Sequence, residues 1–450
     1  MTPGGISLTD AAALTLARHA CLLLPVVAVL AAGFAGRGSA NVRRERGAAL
    51  LAFIAAAVGV AALNEVAAVA GWWTYAEVAG AFRGVPVDLW LGWAVLWGPV
   101  PVLLHRFVPA PVAVGVLLWL DLATMPMLSP LVELGPHWIA GEVLGVVTVA
   151  LPTILLGRWT AREQRLGARA VLQLVTFTGL VLWLLPTAAF SYGDGSWARL
   201  QALPGWALSL LVQAFALAAV PALAAMREFA IRGGGTPYPW DPPRRLVTTG
   251  PYAYLANPMQ CGAVLLLLLL AAGTASLTLA AAAVSGVAFS VALAGPHEHD
   301  DLARRFGADW RAYRREVRDW WPRLRAYPHR EATVWLDADC GPCSAVWRAL
   351  ARRRPAALHL AAAAEHPRVL WRARYTAADG HTERGVAAVA RAFEHTHLGW
   401  AYASWAVRLP VLAQLAQLVT DALITPPHPA RAADTARAAG PARAGARSPR

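Results

Sequence analysis

The chain has 450 residues, 57% of them hydrophobic and 15% charged, with a mean hydropathy of +0.45; this excludes an ordinary soluble globular protein and points to an integral membrane protein. The formal net charge is +13 and all 40 basic residues are Arg, which excludes Lys Schiff-base or Lys-base chemistry, while an Arg excess in such a chain marks loops facing anionic lipid and implies no nucleic-acid partner. Only four Cys are present, at 21, 261, 340 and 343, so a disulfide framework is excluded too.

Apolar runs long enough to cross a bilayer lie at 11–35, 48–70, 86–106, 108–127, 138–157, 168–190 and 201–226. The first lacks the basic flank and small-residue cleavage site of a removable signal peptide and is read as a retained span. A further run, 260–295, is divided at Gly273–Ser276 and reads as a helical hairpin, which brings the expectation to about nine transmembrane helices. Arg collects after every second run, at Arg37, Arg43, Arg44 and Arg46, at Arg106, at Arg158, Arg162, Arg165 and Arg169, and at Arg227, Arg232, Arg244 and Arg245. That alternation places the N-terminus outside and everything after residue 296 in the cytoplasm, in what is expected to be a bacterial cytoplasmic membrane. Residues 1–165 form an accessory five-span domain with polar groups inside its runs, namely Asn64, Glu65, Asp121 and Glu142. Of these, Glu65 and Glu142 lie near enough to span ends to reach water.

Residues 235–262, "GTPYPWDPPRRLVTTGPYAYLANPMQCG", interrupt the apolar pattern. Pro and Gly prevent a regular helix, and irregular backbone is tolerated at a membrane only where it is solvated or lines a protein cavity. The stretch is therefore a structured interfacial loop, either a connector or a site. "GGGTP", Gly233 to Pro237, offers unhindered backbone amides, and "GPYAYLANP", Gly250 to Pro258, offers Tyr hydroxyls and an Asn. From 297 to 322 the apolar residues Leu302, Phe306, Trp310, Tyr313 and Val317 recur at helical spacing among charges, which predicts an amphipathic helix on the membrane surface.

A linker, 324–331, leads to a soluble-looking segment, 332–423, and to a Pro/Ala/Arg tail, 424–450, expected to be disordered. "ATVWLDADCGPCSAVWRALARRR" reads as a strand, an acidic turn, Cys-Gly-Pro-Cys and a helix. A helix N-terminus favours the thiolate of the first Cys, and Pro342 suits a first helical turn. Cys340 is thus the expected exposed nucleophile and Cys343 the shielded, resolving thiol. No second Cys pair accompanies them and His395 and His397 are poorly placed, so no metal site is expected.

Taken in order, "GGGTPYPWDPP", "LVTTGPYAYLANPMQCG", a hairpin, "EHDDLARRFGADWRAYRREV" and "WPR" resemble the isoprenylcysteine carboxyl methyltransferase and phospholipid methyltransferase family over about 225–323, within a membrane domain spanning 166–323. The resemblance implies a cytosolic pocket for S-adenosylmethionine (SAM) and a gap between helices for a lipophilic acceptor, isoprenoid or lipid-like. The residues it assigns to the cofactor are Gly233, Gly234, Gly235, Pro237, Gly250, Pro251, Tyr252, Tyr254, Asn257, Pro258 and Glu298, with His299 as a candidate base. The chain departs from the pattern at Ala253 and Ala256, where relatives show Arg, and at His299, where they show a second Glu. "DADCGPC", "GVAAVARAF", "GWAYASW" and "LPVLAQLAQLVTDAL" resemble the DCC family of thioredoxin-like thiol-disulfide oxidoreductases over about 332–423. That implies an α/β thioredoxin-like domain, a reversible Cys340–Cys343 disulfide and a cytoplasmic thiol partner.

The expectation is an α-helical polytopic membrane methyltransferase, embedded among membrane lipids, with a fused redox domain. The alternative is a membrane-tethered oxidoreductase on a catalytically degenerate methyltransferase-like scaffold.

Overall fold

A computed structural model describes residues 8–38, 41–328 and 331–430. The chain divides into two compact units. The first comprises Met1–Phe215, Phe229–Arg245 and Ala263–His297, and the second Ala216–Glu228, Leu246–Gly262 and Glu298–Arg450. The predicted methyltransferase-like region is therefore shared between them, and part of it groups with the C-terminal segment.

Among the described residues, six helices are long and apolar enough to cross a membrane: Ala12–Ala35, Val42–Ala70, Ala110–Leu128, Trp138–Ala161, Leu166–Tyr192 and Gly205–Gly233. Val87–Leu103, Pro258–Thr274 and Leu277–Ala292 are shorter apolar helices, so the nine expected runs fall on six full-length helices and three short ones. The run at 86–106 is interrupted at Gly98–Pro99, where Pro removes a backbone donor. A bent pair, Leu398–Val407 with Leu412–Ile424 at 91°, passes the same test of length and composition and would bring the number of candidate spans to seven.

In the first unit Val42–Ala70 is the central helix. Its Ala48, Ala52, Ala56 and Ala67 are fully buried, because small residues let helix backbones approach closely where lipid offers no hydrophobic drive to association. A Cβ on Gly92 would stand 2.0 Å from Cys21 O, and one on Gly157 would stand 2.3 Å from Val102 Cγ2. Between helices, strand β1 (Trp73–Tyr75) pairs antiparallel with β4 (Val132–Leu134), and β2 (Ala81–Phe82) pairs with β3 (Val85–Pro86). Beside them Asn64 accepts from Trp73 Nε1 at 2.9 Å and from the Tyr75 hydroxyl, and Asp121 accepts from Trp97 Nε1 at 2.9 Å. Glu65 pairs with Arg83 near the surface. Glu142, expected to reach water, is 1% exposed, because its helix turns it inward beside Asp121. Asp194 accepts from the amides of Leu277 and Thr278 at the start of the helix Leu277–Phe289, both at 2.8 Å, and the Thr278 side chain first, then these amides, hold its carboxyl well below the usual range.

The second unit holds a mixed sheet in the order β6-β5-β7-β8, with β5 (Ala332–Leu336) parallel to β6 (Leu358–Ala362) and antiparallel to β7 (Arg374–Ala377), which pairs with β8 (Thr382–Arg384). Ala332, Val334 and Leu336 alternate inward, and the helix Gly341–Arg353 makes the crossover that parallel strands require. The predicted amphipathic helix runs Gly295–Glu316 with a kink at Gly307. Its Leu302, Trp310 and Tyr313, with Val317 just beyond, are buried in one cluster beside Leu246, Ala256 and Tyr327, so its apolar face is covered by protein.

The same unit contains a buried ion network. Arg391 donates to both oxygens of Glu228 at 2.5 and 3.2 Å and to Glu394 at 2.7 Å, while Arg408 donates to Glu383 at 2.8 Å and also pairs with Glu394. Glu228 and Arg391 are each 2% exposed, which makes each dependent on the other, because an unpaired buried charge is far more costly than the pair is worth. Arg391→Ala should therefore lower stability by about 3–5 kcal/mol, read as a fall in the unfolding midpoint of the purified full chain in detergent. An unchanged midpoint would exclude a structural role for the network.

Burial alone would raise the Glu383 carboxyl, but the bond from His381 and the charges of Arg408 and Arg227 hold it down at about 2 against an ordinary 4.5. With a depressed carboxylate the stabilisation is complete above pH 4.5 and disappears as pH falls toward 2. Glu383→Gln should flatten that part of the stability profile, as followed by thermal unfolding across the same range.

Candidate functional site

Cys340 is the N-cap of the helix Gly341–Arg353, with Pro342 in its first turn. A strand ending at Leu336 and a turn in which Asp337 accepts the Asp339 amide at 3.0 Å deliver it there. Both thiols are free, with Cys340 and Cys343 3.5 Å apart. Burial first, then the hydrogen bond to Cys340 and that residue's charge, push the Cys343 thiol up to about 12. Cys343 thus keeps its proton at neutral pH and can donate it toward the Cys340 sulfur.

The expected exposure of the two thiols is reversed. Cys340 is the buried one and Cys343 keeps partial access, because the chain returns over the motif after Ile424. The Thr425 hydroxyl lies 3.8 Å from Cys340 Sγ, His428 Nε2 lies 3.1 Å from Asp337 Oδ2, and the Ala430 amide bonds Leu370 O at 2.8 Å. Residues 424–430 are the described start of the tail expected to be disordered; 431–450 lie outside the described residues, as do 329–330 of the predicted linker. No signal in "TPPHPA" marks a strap, so sequence reading missed it.

The residues assigned to a SAM pocket fall in both units. In the first, Gly233 ends its helix and its carbonyl accepts from the Arg244 amide at 2.7 Å, while Gly234 takes a φ of +69°. A Cβ on Gly235 would lie 2.8 Å from Asp241 O and from Pro242. Half-buried Pro237 follows Thr236, whose amide and hydroxyl both bond Asp241, and Asp241 also takes Arg169 at 2.6 Å. The amides of Gly234 and Thr236 are thus spent inside the turn. Arg169, read as a loop charge, is an interior partner with 2% exposure.

In the second unit Gly250, Pro251, Tyr252, Tyr254 and Pro258 are buried. Gly250 has a φ of +62°, and a Cβ there would press on Glu228 Cγ at 3.1 Å; the Thr249 hydroxyl bonds the same carboxylate. Tyr252 O accepts from the Tyr313 hydroxyl at 2.8 Å, and the Tyr254 hydroxyl donates to Glu394 O at 2.8 Å while its ring meets Trp405 edge-on. Asn257 donates to Asp319 at 3.2 Å, Asp319 also holds Arg314 at 2.5 Å, and Cys261 packs against Asp319 O at 3.6 Å. Tyr254 and Asn257 are thereby committed to protein partners. Ala253 lies in a buried cluster with Ala326, Ala401 and Trp405, so the Arg of the family pattern would place a guanidinium in an apolar core.

Glu298 and His299 keep solvent access. Surrounding protein and Asp319 raise the Glu298 carboxyl against the opposing Arg314, and water screens that rise. His299 Nδ1 accepts from Trp310 Nε1 at 3.3 Å. Among the described residues no group of three or more His, Cys, Asp or Glu is arranged to hold a metal ion.

The fold and site together define an integral membrane protein carrying a small mixed-sheet segment with a thiol pair at a helix N-terminus. Compared with family models, curated proteins and solved structures, the chain has no match.

Ending the chain at Ile424 should uncover Cys340 and speed its alkylation by on the order of fivefold, the factor that about 1 kcal/mol of lost contact gives. Iodoacetamide labelling of the Cys343→Ser protein with and without the tail measures this, and equal rates would show that the strap does not shield the thiol.

Proposed function

We propose that the chain is a membrane-anchored thiol-disulfide oxidoreductase of the thioredoxin-like, DCC kind, working at the cytoplasmic face of a bacterial membrane. The observation that carries this reading is the adjacency of two free thiols at a helix N-terminus, one of which holds its proton. The Cys340 thiolate attacks one sulfur of a partner disulfide, forming a mixed disulfide and releasing a partner thiolate, which takes up a proton. Cys343 then loses its proton and attacks Cys340 Sγ, closing the intramolecular disulfide and releasing the second partner thiol. Two electrons pass to the partner, and the reverse sequence oxidises a partner dithiol.

A second reading keeps the membrane part as a nine-span SAM-dependent methyltransferase for a lipophilic acceptor. It is favoured by solvent-accessible Glu298, which offers a carboxylate to an ammonium group at the start of the surface helix. SAM supplies an electrophilic methyl group when bound; Glu298 would hold its ammonium and His299 would accept a proton from the acceptor. Buried Tyr254, engaged Asn257 and the closed turn at Gly233–Gly235 fit the cofactor less well. The oxidoreductase reading stands first for that reason.

Glutathione disulfide added to the reduced full chain should oxidise the pair and release two glutathiones. Cys343→Ser should instead accumulate the adduct on Cys340, and Cys340→Ser should react no faster than a free cysteine, all followed by intact-protein mass spectrometry. An adduct first appearing on Cys343 would refute the assignment. Calorimetric titration with SAM separates the readings: binding that Glu298→Ala weakens by about 2–5 kcal/mol supports methyl transfer, and no binding leaves the thiol chemistry alone.

A further inference from the structure

A cavity of about 380 Å³ in the first unit lies where Val87–Leu103 and Trp138–Ala161 end and Ala110–Leu128 begins. Arg106, Arg158 and Arg162 line it together with Phe107, Leu155 and Trp159. No carboxylate is among its lining residues. Of the three guanidinium groups only Arg106 has an acidic partner among the described residues, Glu45, at 2.5 and 3.0 Å. Arg162 donates to His105 O at 2.9 Å and Arg158 to Pro101 O at 3.0 Å, both neutral acceptors. Arg158 is 4% exposed and its Nε has no acceptor among the described residues. Burial pushes the neighbouring His105 below its ordinary value, so the surplus charge is carried by guanidinium groups.

A buried guanidinium with an unused donor, next to Arg162, whose acceptor is a neutral carbonyl, calls for a multivalent anion, and a phosphate with several acceptor oxygens matches forked Arg donors. The apolar wall of Phe107, Leu155 and Trp159 continues the site toward the membrane helices, where Trp and Arg favour the headgroup level. We propose that this cavity binds the phosphate group of an anionic membrane amphiphile, with Arg158 and Arg162 as its principal donors. The site rests on neither reading of the thiol pair or of the SAM motifs.

The test uses the full chain purified in a neutral detergent and titrated with dioleoylphosphatidylglycerol or with dioleoylglycerol, which has the same tails and no phosphate, under native mass spectrometry. The phosphatidylglycerol should bind saturably and the neutral lipid should not. Arg162→Gln and Arg158→Gln should each weaken binding on the order of tenfold, the loss of one charge-assisted contact. Arg162 is exposed, so its variant decides the matter even where the buried Arg158 variant fails to fold. Displacement by millimolar inorganic phosphate would identify the headgroup as sufficient, and resistance to it would show that the tails are needed; both support a phosphate site. Equal binding of the two lipids, or wild-type affinity in Arg162→Gln, would overturn it.

Discussion

A carboxylate buried at the end of an apolar helix has to find a cation, and in the second unit Glu228 finds Arg391. Much of that unit follows from this pair. Arg391 also holds Glu394, whose backbone carbonyl receives the Tyr254 hydroxyl, and Glu394 in turn anchors Arg408. The Gly250 backbone lies so close to Glu228 that a side chain there would intrude. Desolvating four charged groups is costly, and mutual pairing with good geometry is what offsets it. One helix end, the loop 246–262 and the helices after the sheet are thus held in a single arrangement.

The first unit solves the same problem with other means. Side chains in a bilayer must satisfy each other, so Asn64 collects Trp73 and Tyr75, Asp121 takes Trp97, and Arg169 takes Asp241. Alanine and glycine then bring the helices close enough for these contacts to be buried. Arginines that by sequence position read as loop charges serve as interior donors, which explains why Arg158 and Arg169 are nearly inaccessible.

The motif residues divide along the same lines. Where the family pattern asks for cations, Ala253 and Ala256 fill apolar contacts against the C-terminal helices and the surface helix. A loop that would open onto a cofactor is here largely occupied by its own protein. The thiol pair, by contrast, has helix position, proximity and a Cys343 thiol raised by burial and by Cys340 in place, and the segment from Thr425 to Ala430 packs over Cys340 and Asp337.

Composition and hydropathy alone determined that this is a helical membrane protein, because desolvation of the backbone leaves few ways to cross a bilayer. The hairpin break near Ala275, the inward alternation of Ala332, Val334 and Leu336, and the Cys340 cap were legible for a related reason: each depends on local periodicity or on one residue's backbone preference. Only the tertiary structure decided which charges are buried and with whom. Glu228 and Arg391 stand 163 positions apart, Cys340 and Thr425 stand 85 apart, and the cavity brings Arg106, just past one helix, to Arg158 and Arg162 at the end of another. Such pairings are set by packing across the chain, and no local pattern in the sequence encodes them.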